Sequence, residues 1–591
     1  MNEKPQELAG LVDAPELAAR LGVSLATIRS WRKRGAPWLP APIGKLEGLV
    51  WRAEDLVGIE ERMVVKGNSP AGELEGEQRR AKGAYYTPNQ AADVLAKWIV
   101  RRRGERYLEP SFGDGAFVRA VNSVAESKFL ERPNWIAYEL DQKVASNAVQ
   151  SGLLMEEEVL VRDYLGDQEY QLVDAVIANP PFVRLRNLSK AQAESAQAAN
   201  MAVTGSHMAS SGSVWMPFLA KMTTTLVRRG RMAVVLPLDF TYVAYARSMW
   251  GFLADRFSSL RVVRIHERVF PEINQDVMIL LADGYGGNTD FLGFEAYDSV
   301  HGFGEQGPGT LSSISIEEIL KGERAFQLAL LKPELRELIR SDFGGKLELA
   351  SKSGNFRIGY VAGDKYFFHP SSDAIRQFDL PPKSLHPALI NARKMRGHGL
   401  RTSCMGGDVF DYLWLPAEDL SPGENLYVKH GVDSGVSTGY KCAIRKPWFV
   451  VPGAKKPDAI LTVFSENPLL VINDAGWFAS NSLLCFYLTE GDISEFVQKW
   501  YTPLTLLSIG LQVHSLGGGV MVMVPNEAAS VRIPKLVSSG ARIEAIESNL
   551  SQGNILGAYS SGEKDVERLI GPEALSLVYE GIKTLEHWRS R

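Results

Sequence analysis

The chain has 591 residues, of which 45% are hydrophobic, 23% charged and 9% aromatic. This composition excludes the disordered, fibrous and disulfide-scaffold classes, and the length predicts about four folding units. The net charge of −4 does not favour a nucleic-acid partner, yet nine Lys or Arg stand against three acidic residues between Lys221 and Arg268, which predicts a basic stripe.

The cysteines and the N-terminal segment predict a compartment. Cys404, Cys442 and Cys485 lack the spacing of zinc ligands, so we expect a reducing environment and no metal site. The first residues lack a signal-peptide pattern, and no uninterrupted apolar run approaches 18 residues. We therefore expect a cytoplasmic protein with no membrane partner.

Residues 1–65 predict a small winged helix-turn-helix. A helix closed by Gly22 precedes a basic helix from Ala26 to Arg34 that Ser24 caps, and residues 44–51 can form a hairpin wing. The segment resembles the winged helices of excisionase and MerR-type regulators. Contact with DNA and a structural or protein-docking role both remain open for it. A charged, glycine-rich linker follows at residues 66–83.

Residues 66–340 predict an α/β domain, because short apolar strands alternate with helices from Tyr107 to Leu281 and imply a mostly parallel sheet covered on both faces. Residues 191–213, rich in Ala and Ser, are expected to be a mobile loop. Residues 341–591 predict a separate α+β domain that ends in helices. Its expected strands lie near residues 358–368, 412–415, 448–451, 483–488 and 520–524.

The sharpest chemical signal is the turn Asn179-Pro180-Pro181-Phe182, which ends an apolar strand abruptly. A planar exocyclic amine is a poor nucleophile because its lone pair is conjugated with its ring. The Asn179 side-chain oxygen and the Pro180 carbonyl can accept both amine hydrogens, and the Phe182 ring can stack on the base. Arg184 and Arg186 follow this turn and are expected to contact DNA.

Three acidic residues at successive predicted strand ends indicate a nucleoside-like cofactor. Glu109 can pair with an α-amino group, Glu139 can bind ribose hydroxyls, and Asp163 can accept from an adenine amino group. Glycines allow close backbone approach to such a ligand. The remaining predicted cofactor contacts nearby are Ser111, Gly113, Gly115, Leu140 and Tyr164.

In this order of motifs the chain resembles a gamma-subclass DNA adenine-N6 methyltransferase of restriction-modification systems. The resemblance implies a Rossmann-like fold, S-adenosyl-L-methionine as cofactor, double-stranded DNA as substrate and a cognate restriction endonuclease as a partner. It places Tyr86 and Thr87 at the methionine end of the cofactor and Phe270 on the second face of the flipped adenine. Position 182 departs from the family by having Phe where Tyr is frequent, which keeps the stacking surface.

The second half of the chain resembles, more loosely, the target-recognition domains of these enzymes, which would read the DNA sequence. Its basic residues expected to contact phosphates or guanine edges are Arg393, Lys394, Arg396, Lys455 and Lys456. Three alternatives stay open: cytosine-N4 methylation, methylation of protein glutamine or RNA guanine, and a DNA-binding regulator with an inactive methyltransferase fold.

Overall fold

The computed structural model describes residues 11–13, 17, 44–45, 49–52, 87–167, 171–209, 212–269, 276–305, 311–406, 409–515, 520–537 and 540–590. Among these residues, no helix has the length and apolarity needed to cross a membrane. Apart from Leu17, the helices predicted between residues 15 and 34 lie outside the described residues, as do Tyr86 and Phe270.

The N-terminal segment contributes a small antiparallel sheet. Its strands are β1 (Leu11–Asp13), β2 (Gly44–Lys45) and β3 (Leu49–Arg52), in the order β1-β3-β2. The antiparallel pairing of β2 with β3 confirms the predicted hairpin at residues 44–51. Because the predicted helices are not described, the helix-turn-helix itself stays a prediction.

The first half of the chain is built on a nine-stranded sheet, as the alternating sequence pattern predicted. Its strands are β4 (Arg106–Glu109), β5 (Asn134–Glu139), β6 (Val159–Val161), β7 (Val173–Ala178), β8 (Leu226–Pro237), β9 (Phe257–Ile265), β10 (Val277–Tyr285), β11 (Phe291–Tyr297) and β12 (Ser312–Ser315). The spatial order is β12-β11-β9-β10-β8-β7-β4-β5-β6. Strands β6, β5, β4, β7 and β8 run parallel, whereas β10 is antiparallel to both of its neighbours.

Helices cover both faces of this sheet because alternate residues of each strand point to opposite sides. Tyr107 and Trp135 belong to the hydrophobic core on one face, and Leu108 and Tyr138 belong to the core on the other. The helices of this half are α1 (Asn89–Ile99), α2 (Ala116–Ser127), α3 (Gln142–Gln150), α4 (Lys190–Thr204), α5 (Trp215–Thr224), α6 (Arg247–Ala254), α7 (Val300–Glu305), α8 (Ile316–Lys321), α9 (Ala325–Ala329) and α10 (Pro333–Arg340).

The expectation of a mobile loop over residues 191–213 is wrong for most of that segment, which forms α4. Ser189 and Gln192 form a capping box at its start, and Gly205 ends it in the left-handed conformation. Alanine has the best helix propensity of any residue, so the Ala-rich composition favours a helix here.

The second half contains several small sheets. Their strands are β13 (Leu347–Leu349), β14 (Gly354–Ile358), β15 (Leu385–Leu389), β16 (Asp411–Trp414), β17 (Ala459–Thr462), β18 (Phe464–Ser465), β19 (Leu470–Ile472), β20 (Phe478–Ala479), β21 (Leu483–Leu488), β22 (His514–Ser515), β23 (Met521–Val522) and β24 (Arg532–Pro534). The largest of these sheets has the order β14-β21-β17-β19.

The helices of the second half complete it. They are α11 (Lys365–Phe368), α12 (Ser372–Gln377), α13 (Pro422–Asp433), α14 (Tyr440–Ala443), α15 (Ile493–Trp500), α16 (Pro503–Gln512), α17 (Pro525–Ala529), α18 (Gly540–Ser551), α19 (Ile555–Ser560), α20 (Glu563–Ile570) and α21 (Pro572–His587). Two strand predictions are wrong: residues 365–368 form α11, which Asp364 caps, and residues 448–451 form a loop.

The last helices return to the first half of the chain. Val578 and Leu585 of α21 belong to the same core as Leu335 of α10 and the strands β7 and β8. The approach is close at Gly581, where a Cβ atom would lie 2.5 Å from Leu335 Cδ2. Residues on both sides of position 341 therefore share one hydrophobic core.

The basic stripe predicted between Lys221 and Arg268 is not one surface. Lys221 and Arg231 are buried, and Arg231 forms a buried ion pair with Glu105. Arg261 pairs with Glu295, and Arg264 donates to the Trp588 carbonyl oxygen. The count of basic residues along the sequence therefore did not predict a basic surface, because these side chains are bonded within the protein.

Candidate active site

The carboxyl ends of four adjacent parallel strands bring the predicted site residues together. Strands β7, β4, β5 and β6 are neighbours in this order. Asn179 directly follows β7, Glu109 ends β4, Glu139 ends β5, and Asp163 lies two residues beyond β6. Parallel strands place their ends at one edge of the sheet, which is where open α/β sheets bind ligands.

The Asn179 turn is held by two hydroxyl groups from other segments. The Asn179 Nδ2 atom donates to Thr87 Oγ1 at 3.2 Å, and Ser111 Oγ donates to the Asn179 carbonyl oxygen at 3.3 Å. The first bond fixes which end of the amide faces Thr87, so Asn179 Oδ1 points away from that hydroxyl. Pro180 is buried, and Phe182 is half-buried against the cores on both faces of the sheet.

Glu109 is a buried carboxyl group with an unused oxygen. It is 2% exposed, and its Oε2 atom has no hydrogen-bond partner among the described residues. Burial raises the pKa of Glu109 well above its usual value, and the nearby charges of Asp114 and Glu139 add to this shift. Such a group fits a cationic ligand, because an ammonium would both pair with the carboxylate and satisfy the orphaned oxygen.

Glu139 connects the glycine-rich loop to its own turn. Its Oε2 accepts from the Gly113 amide at 3.0 Å, and its Oε1 accepts from the amides of Leu140 at 2.8 Å and Asp141 at 3.0 Å. A carboxylate has about four acceptor sites, so these bonds leave capacity for a ligand hydroxyl. Gly115, with φ +79°, begins α2, and a Cβ there would lie 2.5 Å from Leu153 Cδ2.

The loop after β6 carries Asp163 and is held in place by contacts with the core and with helix α5. Asp163 Oδ1 accepts from the Leu165 amide at 3.0 Å, and the Tyr164 side chain is buried in the core, with its ring 5.0 Å from that of Tyr138. The buried amine of Lys221 donates to the carbonyl oxygens of Tyr164 and Asp167. The sequence analysis placed Lys221 in a basic stripe and missed its role in supporting this loop, although a lysine within the apolar helix α5 was a signal for burial.

Leu140 is 60% exposed beside Glu139, which is unusual for a leucine at a strand end. Its side chain offers an apolar surface at the same edge as the carboxylates. A flat ring held near Asp163 and Glu139 would cover this surface.

The expected DNA contacts have different surroundings. Arg184 donates to Tyr245 Oη at 3.1 Å, lies 3.7 Å from Asp239, and lines a cavity of about 430 Å³ that helices of the second half close. Arg186 is exposed. In the second half, Lys394 pairs with Asp411 at 3.0 Å. The other four candidates are exposed, namely Arg393, Arg396, Lys455 and Lys456.

His266, Asp298 and His587 have potential metal-ligand atoms within 4.8 Å of one another. The two imidazole rings are stacked, with centroids 4.1 Å apart and an interplanar angle of 10°. The nitrogen lone pairs of parallel rings lie in parallel planes and do not converge on one ion. The His266 Nε2 atom is also within 2.7 Å of the His587 carbonyl oxygen. This group therefore supports packing of α21 against the end of β9.

Two families of known proteins match the chain in succession. Residues 73–248 match the family described as N-6 DNA Methylase. Residues 323–566 match the family described as Type II methyltransferase M.Eco57I, C-terminal domain. The first match contains the four strand ends described above, and the second contains most of the small sheets.

Curated relatives resemble only part of the chain. The Type II methyltransferase M.HincII of Haemophilus influenzae is 21% identical over 207 residues, which cover 35% of this chain and 38% of the relative. The Type II methyltransferase M.BanIII of Aneurinibacillus aneurinilyticus is 22% identical over 212 residues, covering 32% of this chain and 36% of the relative. The chain thus matches little more than a third of the length of either relative.

Solved structures of restriction enzymes are similar over a longer span. The type IIG restriction endonuclease BpuSI is 14% identical with a TM-score of 0.42, covering 93% of this chain and 72% of that protein. The type IIL enzyme MmeI, solved in complex with DNA, is 12% identical with a TM-score of 0.45, covering 93% of this chain and 82% of that protein.

The cofactor of the N-6 DNA methylase family is S-adenosylmethionine, and the residues present fit it. The buried Glu109 suits its α-ammonium group, Glu139 keeps an acceptor site for a ribose hydroxyl, and the exposed Leu140 suits its adenine ring. The two successive matches also account for both halves of the chain. The resemblance to DNA adenine-N6 methyltransferases predicted from the sequence is therefore confirmed, since one part of the chain matches the N-6 DNA Methylase family and a later part matches the C-terminal domain of Type II methyltransferase M.Eco57I.

Proposed function

We propose that the protein transfers a methyl group from S-adenosylmethionine to N6 of an adenine that is flipped out of duplex DNA. The observation that carries this proposal is the orientation of Asn179, whose amide nitrogen is engaged by Thr87 at the strand edge that also carries Glu109 and Glu139. In that orientation the amide oxygen of Asn179 points away from Thr87, so the atom available to a substrate is an acceptor. An amine substrate needs such an acceptor.

Bound S-adenosylmethionine supplies an electrophilic methyl group on a sulfonium. The residues of this chain then prepare the nucleophile. The Asn179 Oδ1 atom and the Pro180 carbonyl accept the two N6 hydrogens, which favours the pyramidal amine and localises its lone pair. This interaction strengthens as charge develops on nitrogen, so it stabilises the transition state more than the ground state.

Extrusion of the adenine costs a few kcal/mol of stacking and pairing. The Phe182 ring, exposed in part beside the turn, offsets this cost by stacking on the base, with Phe270 as the proposed partner on the other face. The amide and peptide oxygens are neutral and very weak bases. N6 therefore loses its proton to solvent after the methyl group has been transferred to it.

We also propose that the second half of the chain selects the DNA sequence and that the protein is the modification enzyme of a restriction-modification system with a cognate restriction endonuclease. The match to the C-terminal domain of Type II methyltransferase M.Eco57I and the Type II methyltransferases among the curated relatives support this. Cytosine-N4 methylation uses the same turn chemistry, and the N-6 DNA Methylase match favours adenine.

The test is modified-base sequencing of genomic DNA from cells that express the protein or its Asn179→Ala variant. We expect N6-methyladenine at one recurring sequence with the wild type and none with the variant, while the variant still binds cofactor and DNA. N4-methylcytosine would overturn the choice of base. DNA without modification in the wild-type cells would overturn the proposed activity.

A further inference from the structure

Two loops of the second half, which contain the short helices α11 and α14, expose tyrosines and lysines next to each other. We call this surface the tyrosine-lysine patch, and it consists of Lys365, Tyr366, Tyr440, Lys441, Ile444 and Lys446. The two loops touch at Gly363, where a Cβ would lie 3.5 Å from Lys441 Cβ. These residues are separate from the basic residues that the sequence motifs singled out.

The patch is rigid at its base. The Arg445 guanidinium donates to the carbonyl oxygens of Val361 at 2.7 Å, Ala362 at 2.6 Å and Val450 at 3.2 Å, which joins both loops. Asp364 accepts from the amides of Tyr366 and Phe367 and so fixes the start of α11. The side chains above this base are therefore presented in a preformed arrangement, which lowers the entropy cost of binding.

Three large apolar side chains of the patch are mostly exposed, and the Lys441 ammonium lies 5.4 Å from the centroid of the Tyr440 ring. Tyr366 is 82% exposed, Tyr440 75% and Ile444 66%, although neighbouring rings such as Phe367 and Phe368 are buried. Three large exposed apolar groups on one rigid surface are typical of an interaction site. The question is which partner they fit.

Charge selects the partner. Lys365, Lys441 and Lys446 are exposed and form no ion pair with any residue in the described part of the chain. The nearest carboxylate in sequence, Asp364, is engaged as a helix cap. Protein interfaces enrich tyrosine but deplete lysine, whereas nucleic-acid surfaces combine lysine with aromatic side chains.

We propose that the tyrosine-lysine patch binds duplex DNA, with its lysines on backbone phosphates and with Tyr366, Tyr440 and Ile444 against sugars and base edges in a groove. This inference rests on the proposed function, which makes DNA the substrate. It adds the surface through which the second half engages that substrate.

The test measures binding of full-length protein to a fluorescent duplex of mixed sequence by anisotropy over a range of salt concentrations. One variant combines Lys365→Gln, Lys441→Gln and Lys446→Gln. Its matched control combines Lys346→Gln, Lys564→Gln and Lys583→Gln, three lysines that are also exposed but lie outside the patch. In a plot of log K against log salt concentration, each lost phosphate contact makes the negative slope shallower by roughly 0.9. We therefore expect the slope of the patch variant to be shallower than that of the wild type by about 2 to 3.

A second pair of changes tests the tyrosines. Tyr366→Ser with Tyr440→Ser should weaken binding about tenfold with the salt slope unchanged, because the lost contacts are uncharged. Both side chains are mostly exposed, so the fold should be retained, and thermal melting checks this.

The outcomes separate the two claims. A wild-type protein that methylates DNA, with patch and control variants that bind DNA equally, overturns the patch alone. A patch variant with unchanged DNA binding but an altered mass in sedimentation equilibrium also overturns it, in favour of self-association. A wild-type protein that neither binds nor methylates the duplex overturns both the patch and the proposed function.

Discussion

Replacing Thr87 by valine should slow methyl transfer while leaving cofactor affinity almost unchanged. The Thr87 hydroxyl accepts from Asn179 Nδ2 at 3.2 Å, and the residue is only 8% exposed, so few water molecules can replace the hydroxyl. The ground state of the variant can rotate the Asn179 amide to find another partner. The transition state needs Oδ1 on the substrate amine, which leaves Nδ2 without its acceptor at a cost of about 1 to 3 kcal/mol.

That cost predicts a fall in kcat of roughly 5- to 150-fold. Thr87→Ser retains the hydroxyl and should stay within about threefold of the wild type. Single-turnover rates and calorimetric cofactor affinities for the variants give the measurement.

The opposite pattern would refute this reasoning. An unchanged kcat with a weakened cofactor affinity would mean that Thr87 acts on the methionine end of the cofactor alone, as the family resemblance implied. A fall in kcat for Thr87→Ser as large as that for Thr87→Val would show that the hydroxyl is not what holds the amide nitrogen of Asn179.

Three further changes test the site and its support. Glu109→Gln should weaken cofactor binding but stabilise the ligand-free protein by about 1 to 3 kcal/mol at neutral pH. Because burial raises the pKa of Glu109, the native state keeps a proton on this carboxyl group at pH values where the unfolded state has released it. The stability of the wild type therefore falls as pH rises from the unfolded-state pKa to the raised native pKa. Melting curves across pH should show that the stability difference between the variant and the wild type narrows in acid. Gly115→Ala should weaken cofactor binding by about 1 to 2 kcal/mol, since its φ of +79° disfavours a side chain and Leu153 occupies the space; calorimetry that finds unaltered affinity would contradict the role of this loop. Glu105→Gln breaks the buried pair with Arg231 and should cost about 3 to 5 kcal/mol in denaturant unfolding, whereas Glu131→Gln, which breaks the exposed pair with Arg103, should leave stability unchanged.

Local sequence signals were enough to predict the strands that build the site. The apolar run before Asn179 and the acids at Glu109 and Glu139 indicated strand ends, and parallel strands place such ends together. Those signals are short-range, and each one depends on a few neighbouring residues. The site therefore follows from motif order once the sheet is accepted as parallel.

Contacts between segments that are distant in the chain could not be predicted from the sequence. The bond between Asn179 and Thr87 joins residues 92 positions apart, and Lys221 reaches the Tyr164 carbonyl from 57 positions away. Neither pairing has a periodic signature. Conversely, the Phe-rich segment at residues 365–368 has β propensity but forms a helical turn, because Asp364 caps it and tertiary packing buries Phe367 and Phe368.

The return of α21 to the first half limits how such enzymes can be recombined. A chimera with a single junction near residue 341 would replace α21 together with the rest of the second half. Leu335 would then pack against a helix from another protein, whose side chains do not complement it. The contact is close at position 581, where a Cβ would lie 2.5 Å from Leu335 Cδ2, so any residue other than glycine would require the buried Leu335 to shift. A graft with two junctions that keeps α16 and α21 with the first half must also preserve the contacts of Ile509 and Val513, because these residues, within α16 and directly after it, belong to the core of the small sheets.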